Sequence, residues 1–158
     1  MHEELITEIE AAFADVPYPG DDRIVVPCRG DTEVEEYREA FRGKHWREMT
    51  PAWLVRQFNA IHFFADEALR FFLPGYMIAT IRDPYRQGGV TLEAVIHSLT
   101  IPVEPPGFRA NRPDPEDYTA GQLRAMAAFL RVVKETLDYE PYNVDGAIEY
   151  YLKAAENK

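Results

Sequence analysis

Between Asp66 and Arg82 the apolar residues Ala68, Leu69, Phe71, Phe72, Leu73, Tyr76, Met77, Ile78 and Ile81 fall on nearly every face of a helical turn. A helix that is apolar all round has to be surrounded by protein or by lipid. Arg70 and Pro74 interrupt the run, which is well short of the roughly 20 residues that span a bilayer, so it is read as a core helix and no membrane contact is expected. The chain must then supply other helices to enclose it. Pro74 offers no N–H to the carbonyl four residues earlier, so a kink or a division into two helices is predicted there. Asp83-Pro84 is the stop.

Enclosing helices are visible as one-sided stripes. Leu5, Ile9, Ala12 and Phe13 predict an amphipathic helix over 2–15, ended by Pro17-Tyr18-Pro19-Gly20. Asp31 or Thr32 can cap a second helix through Val34, Tyr37, Ala40 and Phe41, with Gly43 placed for a left-handed ending. Thr50-Pro51 is a cap followed by proline at the first helical position, predicting a short helix over 53–58 with Trp53, Leu54 and Phe58 inward. Thr91 caps a stretch to Leu99, after a turn at Gly88-Gly89. Thr119-x-x-Gln122 has the capping-box pattern, and Leu123, Met126, Ala127, Leu130, Val133 and Leu137 follow as an unbroken stripe. Asn143 caps the last helix, with Ala147, Ile148, Tyr151 and Leu152 inward. The five prolines of 102–115 make that segment a surface loop, and 23–27 has room for one short edge strand limited by Pro27. The expected fold is mainly α: a single-domain bundle of five to seven helices around a central kinked apolar helix.

At 158 residues and 46% hydrophobic, the chain has enough apolar material for one core, and residues 1–158 are expected to form one domain, an acidic third (1–40) packed on a helical core (41–158). The lone cysteine, Cys28, cannot close an intramolecular disulfide and is read as a small packed side chain. The acidic start, Met1 to Glu10, lacks the cationic and apolar regions of a secretory signal, so a cytoplasmic location is expected. Of the net charge of −10, residues 1–40 hold −9: twelve acids against Arg23, Arg29 and Arg38. Phosphate-backbone binding rests on clustered Lys and Arg, so nucleic acid is not an expected partner.

Four stretches, Phe41-Arg42-Gly43-Lys44-His45-Trp46-Arg47-Glu48, Ala68 to Tyr76, Thr119 to Leu130 and Ala147-Ile148-Glu149-Tyr150-Tyr151, together resemble a family of small bacterial proteins defined only as a domain of unknown function. The chain departs from its pattern at Ala65-Asp66, where Thr-Pro is usual, and at Tyr150-Tyr151, where Tyr-Trp is usual. The resemblance implies a bacterial, cytoplasmic, mostly helical protein and transfers no catalytic residue.

Sites must therefore be read from the residues. Ser98, the one serine, lacks a nucleophile turn, and its neighbour His97 points about 100° away on a helix. His2, His45, His62 and His97 are scattered and show no motif such as His-Glu-x-x-His; a metal site would need the fold to gather two of them with Asp66 or Glu67, and no metal and no cofactor are expected. Asp31-x-Glu33-x-Glu35 begins like a calcium loop but has Glu36 and Arg42 where glycine and a bidentate glutamate belong. Arg42 to Arg47 is a basic patch with an aromatic, read as a helix C-terminus whose cations meet the macrodipole while Trp46 packs inward. Arg29-Gly30-Asp31 is read as a turn into a cap. No catalytic residue emerges. What remains is the acidic surface: Glu33, Glu35, Glu36 and Glu39 form a candidate docking face for a basic protein, as an immunity or antitoxin-like protein would present. The alternative is a small enzyme or small-molecule-binding protein, with a pocket near Pro74 lined by Trp46, Tyr76 and Arg82.

Overall fold

A computed structural model describes residues 2–26, 32–84, 88–100, 112–136 and 144–158. Among them are seven α-helices: α1 (Glu3–Phe13), α2 (Thr32–Phe41), α3 (Pro51–Leu54), α4 (Asp66–Arg82), α5 (Gly88–Thr100), α6 (Ala120–Thr136) and α7 (Val144–Glu156). Short 3₁₀ turns cover Asp21–Arg23, Trp46–Glu48, Phe58–His62 and Pro115–Asp117. Cys28, the Arg29-Gly30-Asp31 turn, the Asn143 cap, Leu137 and most of the proline-rich loop lie outside the described residues.

The all-round apolar pattern has the predicted consequence. In α4, Ala68, Leu69 and every residue from Phe71 to Ile81 are buried. Its neighbours are α1, α3, α5 and the Trp46–Glu48 turn, while α6 packs on α1 and α7. Of the two outcomes predicted at Pro74, a kink or a division, the division does not occur: α4 is one helix from Asp66 to Arg82. Proline inside a helix costs about 3 kcal/mol, and burial of the helix on all sides outweighs that local penalty.

Gly75 shows why the next position is small. A Cβ there would lie 2.7 Å from Met49 Sδ and 2.9 Å from the Trp46 carbonyl oxygen. Met49 can shift, but a backbone oxygen held in the Trp46–Glu48 turn cannot shift cheaply. Gly75→Ala gains up to ~1 kcal/mol of helix propensity and incurs an overpacking penalty of about 1 to 3 kcal/mol. The expected result is a net loss of about 1 kcal/mol, read by urea denaturation; a stabilised variant would mean that the two segments can separate freely.

Elsewhere the local signals are partly overruled. Of the segment 23–27, the described residues 23–26 do not form a strand: Asp21–Arg23 is a 3₁₀ turn, and an isolated antiparallel bridge joins Val25 to Phe64. Hydrogen bonds from Val26 N to Phe63 O (3.0 Å) and from Ala65 N to Ile24 O (3.0 Å) complete it. Strand pairing needs a partner run, and Phe63 to Ala65 ends at once in α4.

The helix expected over 53–58 starts earlier and stops after Leu54, with Thr50 Oγ1 accepting from Trp53 N at 3.2 Å. Phe58, expected inward, is 38% exposed and opens a separate 3₁₀ turn. The break is fixed from α4, whose Tyr76 hydroxyl donates to the Gln57 carbonyl at 2.8 Å. Helix α5 begins at Gly88, not Thr91, so Gly88-Gly89 is its first turn and not a preceding bend. Thr91 is fully buried one turn before Val95. Burial of Leu92, Val95, Ile96 and Leu99 thus carries the helix through two poor helix formers. Helices α1, α2, α6 and α7 follow their predicted stripes.

Candidate functional site

Helix α2 is anchored on one side only. Val34, Tyr37 and Phe41 are buried, and the Phe41 ring meets Trp53, Phe64 and Phe72, each at 4.9 Å between centroids. With that side consumed by the core, Glu33, Glu35, Glu36 and Glu39 are all exposed. Among the described residues, each acid but Glu36 has a partner at hand. Tyr37 donates its hydroxyl to Glu33 at 2.6 Å, Arg38 pairs with Glu35, and Arg42 approaches Glu39 at 3.7 Å. Burial, then the bond to Glu33, pushes the Tyr37 hydroxyl up to about 12, so it stays a donor at neutral pH.

Sequence reasoning did not place Asp21 and Asp22 on this face. The 3₁₀ turn Asp21–Arg23 is tied to the end of α2 by three contacts. Tyr18 donates its hydroxyl to Asp21 at 2.6 Å and accepts from Gly43 N at 2.8 Å, and Arg42 Nε lies 3.2 Å from the other Asp21 oxygen. Gly43 has φ of 67°, the left-handed ending its position predicted. The Tyr18 hydroxyl, and then Arg42, hold the Asp21 carboxyl below the usual carboxylate range. A shallow cleft of about 130 Å³ between Asp21, Asp22, Arg38, Glu39 and Arg42 marks the junction. Six carboxylates and two guanidiniums give this face a net charge of −4. No local signal joins Tyr18 to Gly43, because the contact spans 25 residues.

The other candidates are placed as follows. Trp46 and Tyr76 are buried, and Arg82 is exposed at the last residue of α4. Phe41 stacks on Tyr76 at 6.4 Å, and the Trp46 backbone abuts Gly75. The basic patch is absorbed by local contacts: Arg47 covers the Trp46 ring at 4.2 Å, Lys44 covers Trp53 at 4.3 Å, and Glu48 accepts from His45 N at 2.6 Å. Ser98 is fully buried. His62 and His97 meet edge to face at 5.4 Å, and burial, then His97, holds His62 below the usual histidine range. Among the described residues no three His, Cys, Asp or Glu side chains form a group that could hold a metal, and no helix is long and apolar enough to cross a membrane.

DUF6714, a family of unknown function, matches residues 1–155, and the chain belongs to that family. No curated protein and no solved structure matches it.

Proposed function

We propose that this DUF6714 protein is a non-enzymatic binding protein whose acidic face docks a basic protein partner, in the way an immunity or antitoxin-like protein covers a basic target. The observation that supports this reading is the combination of Glu33, Glu35, Glu36 and Glu39 on the outer side of α2 with Asp21 and Asp22. The bonds from Tyr18 and Arg42 hold Asp21 against the end of α2, which keeps the aspartate turn beside the glutamates of the helix. A one-signed surface of this kind attracts opposite charge over about a Debye length, roughly 8 Å at physiological salt.

Charge complementarity acts mainly on the association rate. Glu35 and Glu39 lie one helical turn apart, and reversing both to lysine changes the face from −4 to net neutral. The exposed pairs lost with them contribute less than about 1 kcal/mol each, so the fold is kept. A partner captured from native lysate should be basic, and its association rate should fall about tenfold or more in the double reversal and in high salt. Stopped-flow kinetics reads both. An acidic partner, or a rate indifferent to salt and to the reversal, would sink the reading and leave the face as a solvated surface.

A further inference from the structure

His62 and His97 stand far apart in the sequence and meet across one joint of the bundle. His62 is the last residue of the Phe58–His62 turn, and His97 lies in the last turn of α5, on which that turn packs. Their rings touch edge to face, 5.4 Å between centroids, and both residues are half-buried. Two neutral imidazoles pack well in this way. Two imidazolium ions at the same distance repel, because a like charge so near disfavours the charged form.

Among the described residues the one charge that acts on His62 is that of His97; burial, and then that charge, holds His62 below the usual histidine range. The turn itself carries no other titratable side chain, and α3 carries none. Arg56, after α3, Arg82, at the end of α4, and Glu93, one turn before His97 on α5, are exposed, as are the charged side chains of α7. The other groups that α4 and α7 bring close are hydroxyls already in use: Tyr76 donates to the Gln57 carbonyl and Tyr151 to the Leu99 carbonyl. No carboxylate among the described residues therefore acts to neutralise a charge on His62.

The same turn supports α2. Asn59 hydrogen-bonds the Tyr37 hydroxyl, and Phe63, the residue after His62, stacks on the Tyr37 ring at 5.6 Å. A 3₁₀ turn of five residues has poorer internal hydrogen bonds than an α-helix, and what fixes this one is packing, with Ala60 and Ile61 fully buried. Repulsion between its last residue and α5 thus meets little resistance from within the turn, and any movement is passed to Tyr37 from both sides of Ala60 and Ile61.

We propose that the His62–His97 contact is a proton-operated joint: with neutral rings the Phe58–His62 turn closes on α5, and with both rings charged in mild acid the turn opens and loosens its support of Tyr37. Because His62 binds its proton less readily in the folded chain than in the unfolded one, the stability of this contact is fully present above about pH 6.5. It is lost as the pH falls through the lower folded value. Interacting sites titrate as a pair, so the two protons are taken up in separate steps. The joint works in this way whether or not the acidic face of α2 docks a partner.

Nuclear magnetic resonance on the full chain tests it, following both imidazole rings and amide exchange from about pH 8 to about pH 5, the range that brackets histidine. One proton changes an opening equilibrium by at most about tenfold per pH unit. Amide protection in the Phe58–His62 turn, corrected for the intrinsic pH dependence of exchange, should therefore fall about tenfold between about pH 7 and about pH 5. The ring signals of Tyr37 and Phe63 should shift in the same step. His62→Gln should cut that fall to about twofold or less, and His97→Gln should raise the pH at which His62 takes its proton. Should His62→Gln fail to fold, the titration of the parent chain and His97→Gln decide. The proposal is overturned if His62 titrates at or above the usual histidine range, if its titration is indifferent to His97→Gln, if the turn keeps its protection to about pH 5, or if the Tyr37 and Phe63 signals do not move.

Discussion

Phe72→Ala should remove about 3 to 5 kcal/mol of stability. The ring is fully buried and stands in the middle of an aromatic cluster, 4.9 Å from Phe41, 5.3 Å from Phe64 and 4.9 Å from Phe71. Truncation removes the transfer free energy of the ring and leaves a cavity that three segments would have to close together. Phe41 comes from α2, Phe64 from the bridge to Val25, and Phe71 and Phe72 from α4, so no single segment can move in without leaving other contacts. Small domains have only about 5 to 15 kcal/mol in total. Urea denaturation should show a much lower midpoint with an unchanged slope. A loss below about 1 kcal/mol would mean that the cluster repacks, and that the burial of α4 tolerates far more than its sequence pattern implies.

That helix is also the clearest case of structure legible in sequence. An all-round apolar run has few solutions, and burial at every position from Phe71 to Ile81 is the one adopted. Helix α6 was equally legible, because its stripe and its cap are both local: Thr119 Oγ1 accepts from Gln122 N at 3.2 Å, and Gln122 Oε1 accepts from Thr119 N at 3.0 Å. Where the reading failed, a distant contact had decided the local outcome. The Tyr76 hydroxyl, nineteen residues away, holds the Gln57 carbonyl just beyond the end of α3 at Leu54, and the apolar face of α5 recruits Gly88 and Gly89 into a helix that they would not start alone. The α2 acids could be named in advance because the burial of Val34, Tyr37 and Phe41 follows from their spacing. Asp21 could not be added to them, since its bond to Arg42 spans 21 residues and requires a chain path that no spacing encodes.

The same reasoning makes Gln122 the second most sensitive position. Its side chain is 2% exposed and makes a further bond, from Nε2 to the Ala12 carbonyl at 3.1 Å. Ala12 lies in the last turn of α1, where carbonyls have no donor from within their own helix. One glutamine therefore closes the start of α6 and the end of α1 together, across 110 residues of sequence. Gln122→Ala removes half of a capping box, about 1 kcal/mol, and leaves a carbonyl unmatched, about 1 to 3 kcal/mol. The better helix propensity of alanine returns a few tenths of a kcal/mol, so a net loss of about 2 to 3 kcal/mol is expected. Thr119→Ala breaks only the cap and should cost about 1 kcal/mol. Hydrogen exchange separates the two bonds: the last turn of α1 should lose protection in the Gln122 variant and keep it in the Thr119 variant. Equal losses in both, with α1 protected throughout, would show that Ile9 and Phe13, both fully buried, hold that helix without help from α6's first turn.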